Sequence, residues 1–213
     1  MKKRRLVVAL TLIVFALAAY ALGWSNLLTV SSVEMKGTGT FLSTTIKPGE
    51  RLARIEPRAV AKEYEKLDWV QRAEVSRNWI NGKITITITE RLPIAIFNDR
   101  AIDKDGVSFA ITNQSTKGLP RIQAPSIDSA ITAAAFFSAL PQEIASSVQL
   151  VKVGNGEMYT LQMQATGHVI EVVWGSSQDN ALKSTVYKAL IARAENSKIL
   201  QIDLSAPHAP IVK

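Results

Sequence analysis

The 213-residue chain contains no cysteine, which excludes disulfide staples, thiolate zinc sites and cysteine nucleophiles. Histidine is nearly as scarce, with His168 and His208 the two present. A Ser–His–Asp triad needs one of them, and neither has a Gly-x-Ser-x-Gly context. No Gly-rich phosphate loop occurs, so nucleotide chemistry lacks its usual cradle. Charge is absent over one long stretch: after Arg5 the next charged residue is Glu34. What remains is ordinary. With 47% hydrophobic and 20% charged residues the chain has the composition of a folded protein. Its length suits one medium or two small domains and is too short for a barrel enzyme. The net charge of +7 is concentrated at one end; without Lys2, Lys3, Arg4 and Arg5 the excess falls to about +3, an ordinary balance and no signal for nucleic acid.

The uncharged stretch is hydrophobic. Ten residues between positions 6 and 22 are Leu, Ile, Val or Phe, and insertion of such a run into a bilayer is favourable by roughly several kcal/mol. Tyr20 and Trp24 lie one turn apart at its outer end, where amphipathic rings prefer the interface. The basic cluster precedes the run, so the positive-inside bias puts residues 1–5 in the cytoplasm, a transmembrane helix over 6–27, and everything after it outside. A cleaved signal peptide is the competing reading, with Ala19-Tyr20-Ala21 as a passable small-x-small site; against it, the apolar run reaches the cut with no clear polar segment. Either way residues 28–213 work beyond the cytoplasmic membrane, where neither ATP nor reduced nicotinamide is expected.

From residue 30 to 36 the chain alternates, with Ser31, Val33 and Met35 opposed to Ser32, Glu34 and Lys36, a half-buried strand. An ambiguous stretch, 41–46, suggests one helical turn. Glu56-Pro57 opens a clearer helix with Val60, Tyr64 and Leu67 on one stripe. Then Ala73, Val75, Arg77 and Trp79 alternate with polar residues, Asn81-Gly82 supplies a tight turn, and Ile84, Ile86 and Ile88 alternate with Thr85, Thr87 and Thr89. This is a strong hairpin signature. Its isoleucine face needs cover, and the preceding helices are the nearest source.

That order, β-α-α-β-β, resembles a POTRA domain. The run Val30-Ser31-Ser32-Val33-Glu34-Met35-Lys36-Gly37 beside a lone anchor is followed by Gly49-Glu50-Arg51-Leu52. Trp69-Val70-Gln71-Arg72-Ala73-Glu74-Val75-Ser76-Arg77-Asn78-Trp79 comes next, and Thr89-Glu90-Arg91-Leu92-Pro93-Ile94-Ala95 closes the unit. Together they are similar to the FtsQ/DivIB family of bacterial cell-division proteins. Ile80-Asn81 departs from the Trp-Pro often found there, with Asn-Gly supplying the turn instead. The POTRA unit is assigned to 28–97.

Residues 98–213 form a second segment. A short strand at 94–97 and a turn at Asn98-Asp99-Arg100 precede Asp103-Lys104-Asp105-Gly106-Val107-Ser108-Phe109, which resembles the family's next hairpin, and Leu119-Pro120-Arg121-Ile122 resembles its Leu-Pro element. An Ala-rich helix is expected over 127–140, stopped by Pro141. Strands follow at 148–153, 159–163 and 170–174, separated by turns at 154–156 and 165–167. A second helix is expected from about 178 to 194, with Asp179 as a possible cap and Leu182, Val186, Ala189 and Leu190 as its buried stripe. The final strand, 199–204, puts Leu200, Ile202 and Leu204 on one face and Ile199, Gln201 and Asp203 on the other. The expected class is α+β: a single N-terminal transmembrane helix, a POTRA domain, and a mostly antiparallel β domain with two packing helices.

No catalytic constellation emerges. His168 beside a turn Gly reads as solvent-facing, Glu90 and Asp103 as a strand end and a turn, and Trp69, Trp79 and Trp174 as core or sheet residues. Neither cofactor nor metal is expected. The working surface is then backbone, because a sheet-edge strand has unpaired N–H and C=O groups that another chain can pair. The last strand in sequence is expected to be the last in the sheet. In the family this edge receives a strand from FtsB, which is paired with FtsL. The resemblance therefore implies contact through Ile199, Gln201, Asp203, Ser205, Ala206, His208, Ile211 and Val212; the plainer alternative is an internal strand with a frayed tail. It further implies a non-catalytic scaffold in the cytoplasmic membrane at the division septum, serving septal peptidoglycan synthesis proteins, with no nucleic acid and no small-molecule substrate. An anchored or secreted cell-wall enzyme and a POTRA-bearing export component are the alternatives; the second normally needs a long barrel or repeated POTRA units.

Overall fold

The computed structural model describes residues 2–23, 28–165 and 167–213. Trp24 and the rest of 24–27, with Thr166 of the expected turn, lie outside the described residues. The chain divides into two compact units, Met1–Arg91 and Leu92–Lys213.

In the first unit helix α1 spans Lys2–Gly23. Its apolar side chains from Leu6 to Tyr20 are exposed. Among the described residues no helix is long and apolar enough to cross a membrane.

Beyond α1 the unit contains β1 (Ser32–Lys36), a 3-10 turn (Leu52–Arg54), α2 (Pro57–Tyr64), β2 (Val70–Arg77) and β3 (Lys83–Glu90). Residues 41–46 are not helical, so the first helical place of the expected β-α-α-β-β order is filled by the 3-10 turn instead. Among the described residues these strands form one sheet, ordered β1-β3-β2. β1 runs parallel to β3 with Ser32 opposite Lys83, and β2 runs antiparallel to it. Ile84, Ile86 and Ile88 are buried, as are Leu52, Ile55, Tyr64 and Trp69. Alternation thus turns one face of β3 wholly into the core and leaves Thr87 and Thr89 exposed.

The hairpin turn is wider than Asn-Gly alone implies. Asn78 N–H donates to the Lys83 carbonyl and Gly82 N–H donates to the Asn78 carbonyl, at 2.8 and 2.9 Å. Asn78 Oδ1 accepts from the Ile80 and Asn81 amides at 3.0 and 3.4 Å. The turn therefore takes in Trp79, which leaves the strand face expected for it and lies half-exposed. Gly82 has φ +72°, and a Cβ there would stand 2.4 Å from the Thr29 carbonyl oxygen.

The second unit opens with β4 (Pro93–Phe97), β5 (Arg100–Asp103), β6 (Ser108–Ala110) and β7 (Arg121–Gln123). Then come α3 (Ile127–Ser138), α4 (Gln142–Ala145), β8 (Val148–Val153), β9 (Tyr159–Ala165) and β10 (His168–Gly175). The unit ends with α5 (Asn180–Ile191), β11 (Gln201–Asp203) and β12 (Ile211–Val212). Among the described residues the strands form one nine-stranded sheet, ordered β12-β11-β10-β9-β8-β7-β4-β5-β6. β4 hydrogen-bonds within this sheet, beside β5 and β7, so the boundary expected after residue 97 moves to between Arg91 and Leu92. Most pairs are antiparallel, but β4/β7, β7/β8 and β10/β11 are parallel. α3 with α4, and α5, supply the crossovers that the last two of these pairs need.

α3 packs small residues, Ala130, Ala133 and Ala134, on the sheet, while Phe136 stacks on Tyr159 with ring centroids 3.9 Å apart. Short side chains let helix and sheet approach closely, and Ser126 caps the helix by accepting from the Ser129 amide. α5 is rotated from the expected stripe. It buries Lys183, Ser184, Tyr187 and Leu190 and exposes Ala189. The larger Tyr187 wins the core, and the polar pair is satisfied locally: Lys183 Nζ donates to the Ser176 carbonyl at 2.8 Å and Ser184 to that of Asn180 at 2.6 Å. Asp179 precedes the helix in a left-handed conformation and makes no side-chain cap bond.

Two predictions concern the first unit. Gly82→Ala is expected to cost about 1–3 kcal/mol, combining a strained φ with a clash against backbone. Gly49→Ala, where φ is +89° but no atom lies within 4 Å, should cost less; guanidinium unfolding of the two variants measures the difference. At the start of the parallel pair, Lys83 Nζ lies 2.9 Å and Lys36 Nζ 3.4 Å from Glu34 Oε2. The Lys83 ammonium holds the Glu34 carboxyl below its usual range against a smaller opposing desolvation, with Lys36 adding to the effect. A depressed carboxyl stabilises the fold at neutral pH and loses that contribution as pH falls through its folded value. Lys83→Met should move the Glu34 titration midpoint upward by NMR; an unchanged midpoint contradicts the assignment.

Candidate functional site

The groups that suggested chemistry are each engaged structurally. His168 Nε2 lies 2.7 Å from the Ile199 carbonyl oxygen, so the ring ties β10 to the segment leading into β11 rather than facing free solvent. Glu90 Oε1 accepts from Thr38 Oγ1 at 2.6 Å. Asp103 is 3% exposed, and its Oδ1 accepts from the Asp105 and Val107 amides at 3.0 and 2.8 Å, closing the β5–β6 turn. Trp69 and Trp174 are core residues, the second donating through Nε1 to Asn180 Oδ1 at 2.8 Å. Lys183, which sequence reading passed over, is 2% exposed. Burial pulls its ammonium below the usual lysine range, and Asp179 partly offsets this. Its bond to the Ser176 carbonyl makes it a clamp on the loop before α5. A lysine four residues before Tyr187 and seven before Leu190 was the available signal.

At the C-terminal end, β11 pairs with β10 in parallel, placing Ile202 opposite Val172. Its other side is covered. The chain turns back through Ser205–Pro210 and lays β12 antiparallel on β11, with Asp203 opposite Ile211 and Ile202 opposite Val212. The expectation that 199–204 is the outermost strand is therefore corrected: β11 is internal and β12 is the edge. The sequence hid this because β12 is only two residues long, too short to show a period of its own.

The face alternation is also displaced. Leu200 is exposed and Ile199 buried. Both the Leu200 and Gln201 amides donate to the single Lys213 carbonyl, at 2.9 and 3.1 Å. Two residues opposite one is a bulge, and a bulge interrupts the period-two pattern. From Gln201 onward alternation resumes, with Ile202 and Leu204 fully buried.

Of the predicted contact residues, Gln201, Asp203 and Ile211 come together with Lys213 around a shallow cleft of about 50 Å³; Lys213 was missed. Ser205 donates from N–H and Oγ to Asp203 Oδ1 at 2.9 and 2.6 Å, bending the chain off β11. Ala206 and His208 lie exposed in the return turn, which the Ala209 amide closes onto the Ala206 carbonyl at 2.9 Å. Ile199 is buried and engaged through its carbonyl, so it lies behind the surface rather than on it.

The hydrogen-bond pattern tells which way β12 points. Lys213 N–H donates to the Gln201 carbonyl at 2.9 Å and its carbonyl accepts in return. In an antiparallel ladder such pairs alternate, so Ile211 and Lys213 face β11 while the N–H and C=O of Val212 face away from the sheet. β6 forms the opposite edge of this sheet, and β1 and β2 flank that of the first unit. Beside β2 an open groove of about 450 Å³ runs along α2, lined by charged residues including Arg58, Lys62, Glu65 and Arg72.

Comparison with known proteins covers both units. Residues 29–91 match the family model of the FtsQ-type POTRA domain, and residues 94–205 match that of the C-terminal region of cell division protein FtsQ/DivIB. Cell division protein FtsQ of Streptomyces collinus is 28% identical over 235 residues, covering 97% of this chain and 87% of its own. The FtsQ of Streptomyces bingchenggensis is 28% identical, covering 98% and 86%. That of Streptomyces griseus is 29% identical over 163 residues, covering 70% and 76%. Since the C-terminal family model alone takes in more than half of the chain and the POTRA model adjoins it, the chain belongs to the FtsQ/DivIB family of bacterial cell division proteins.

Proposed function

We propose that this member of the division machinery is a non-catalytic, single-span scaffold whose β domain captures a partner strand at β12. The observation that carries the reading is the sheet edge itself, where Val212 turns a backbone donor and acceptor outward beside the exposed Ile211. A partner strand running along β12 completes those bonds, and the side chains around Gln201, Asp203, Ile211 and Lys213 select its sequence. FtsB/FtsL-type bitopic proteins are the partners this edge suits, and through them the septal peptidoglycan synthesis proteins. The non-catalytic reading is supported by the structural engagement of His168, Glu90, Asp103 and Lys183.

The scaffold is held by α1 as a membrane anchor, with residues 1–5 in the cytoplasm and both folded units outside, at the division septum. Support comes from the continuous apolar helix with outward side chains and from the preceding basic cluster.

Val212→Pro removes the outward N–H without touching a ladder bond to β11. It should reduce co-purification of the bitopic partners from membranes about tenfold, equivalent to about 1.4 kcal/mol, while the thermal transition stays in place. Undiminished recovery overturns strand capture at β12. For the anchor, the intact protein is expected to stay in carbonate-washed membranes with its original N-terminus. Arg at both Leu12 and Val14 should release it, each costing roughly 3 kcal/mol near the helix centre. A mature chain beginning near residue 22 identifies a cleaved signal instead.

A further inference from the structure

The POTRA unit places an isolated apolar tip close to the anchor. Ile80 is 99% exposed and lies in the β2–β3 turn. Because β1 and β3 run parallel from Ser32 and Lys83, the end of the sheet where the chain arrives from α1 is also the end bearing this turn. Hydrogen bonds fix the juxtaposition: Ser31 N–H donates to the Gly82 carbonyl at 2.9 Å, and Ser31 Oγ to that of Asn81 at 2.7 Å. Leu28, whose carbonyl accepts from the Leu52 amide at 3.1 Å, stands within about 18 Å of Gly23, the reach of five fully extended residues.

The tip is rigidly mounted. The Arg77 guanidinium lies 4.9 Å over the Trp79 ring while its Nη1 donates to the Leu52 and Ile55 carbonyls at 3.0 and 2.8 Å. Asn78 holds the turn from inside, as described above. Ile80 is thus presented outward by a braced loop. Arg51 and Arg54 line an open cleft of about 380 Å³ at the same end, together with Glu50, and the Thr29–Arg51 bridge ties that segment to the first residues after the anchor. An apolar tip, a half-exposed indole and flanking arginines are the set that bilayer interfaces take up, the aliphatic group among acyl chains, the indole at headgroup level and the cations on lipid phosphates.

We propose that the β2–β3 turn is a second membrane contact, in which Ile80 and Trp79 seat in the outer leaflet beside the anchor and hold the POTRA unit against the bilayer. The inference rests on the reading of α1 as the anchor. Phe41 supplies an internal contrast. It is 95% exposed, but it follows the far end of β1, where Thr38 bonds to Glu90 at the end of β3, and it stays in water.

The cysteine-free sequence allows single nitroxide labels on the full chain at Leu12→Cys, Phe41→Cys or Ile80→Cys, reconstituted in vesicles of phosphatidylcholine with a minority of phosphatidylglycerol. Power saturation then compares collisions with oxygen, enriched in lipid, and with a water-soluble nickel chelate. Labels at 12 and 80 should show oxygen-to-nickel ratios about threefold or more above that at 41, with 80 shallower than 12. A lipid-exposed label at 12 with 80 indistinguishable from 41 overturns the second contact and leaves the anchor standing. A water-exposed label at 12 overturns both.

Discussion

Parallel pairing of β1 with β3 is the constraint on which the first unit depends. Antiparallel neighbours can be joined by a turn, but parallel ones need a crossover, here the 3-10 turn and α2, from which the chain returns through β2 into β3. That crossover lies over the face bearing Ile84, Ile86 and Ile88 and completes the core. The same pairing decides polarity. It gathers the start of β1, the segment around Leu52 and the β2–β3 turn at one end of the sheet, and sends Gly37, Val70 and Glu90 to the other. The end that meets the preceding helix is thereby set by topology, and Arg77, bonding to Leu52 and Ile55 while covering Trp79, ties its parts together.

The second unit uses the same device more extensively. Its parallel pairs join the β8–β9–β10 meander to β7 on one side and β11 on the other, and helices cover the crossovers. Alanines on α3 give close approach, whereas α5 carries Tyr187 and a buried Lys183 that finds a carbonyl instead of water. Burying an amino group at a helix surface is tolerable because its one strong acceptor is close and fixed. The sheet can then extend to β11 without an exposed apolar seam, since Ile202 and Leu204 close the core from that side.

Much of this could be read in the residues themselves. The alternating isoleucines, the Pro57 helix start, the Asp103 turn and the strands from Val148 to Gly175 each carry a local period or a turn residue that fixes their conformation. The misses have a common physical origin in hydrogen bonding, which hydrophobic periodicity does not record. The turn at Asn78–Gly82 widened because Asn78 could bond both ends of it. Alternation before β11 slipped because two amides share the Lys213 carbonyl, a partner distant in sequence. The α5 face rotated because Lys183 and Ser184 had local acceptors that hydrophobicity does not register. β12, the centre of the candidate site, is two residues between a proline and the last position described; it has no period to detect and exists because β11 offers it a ladder. Of the contacts implied by the family resemblance, Gln201, Asp203 and Ile211 lie around one cleft, while Ile199 is buried behind it.

The crossover through α5 also sets an order of assembly. β11 pairs with β10 only across the long connection that contains α5, and β12 has no template until β11 is in place. Loop closure over such separations slows pairing relative to the hairpins that precede it. The pairing that turns Val212 outward thus follows the local hairpins of the same sheet. A chain shortened before Ile211 lacks β12, and β11 becomes the edge of the sheet.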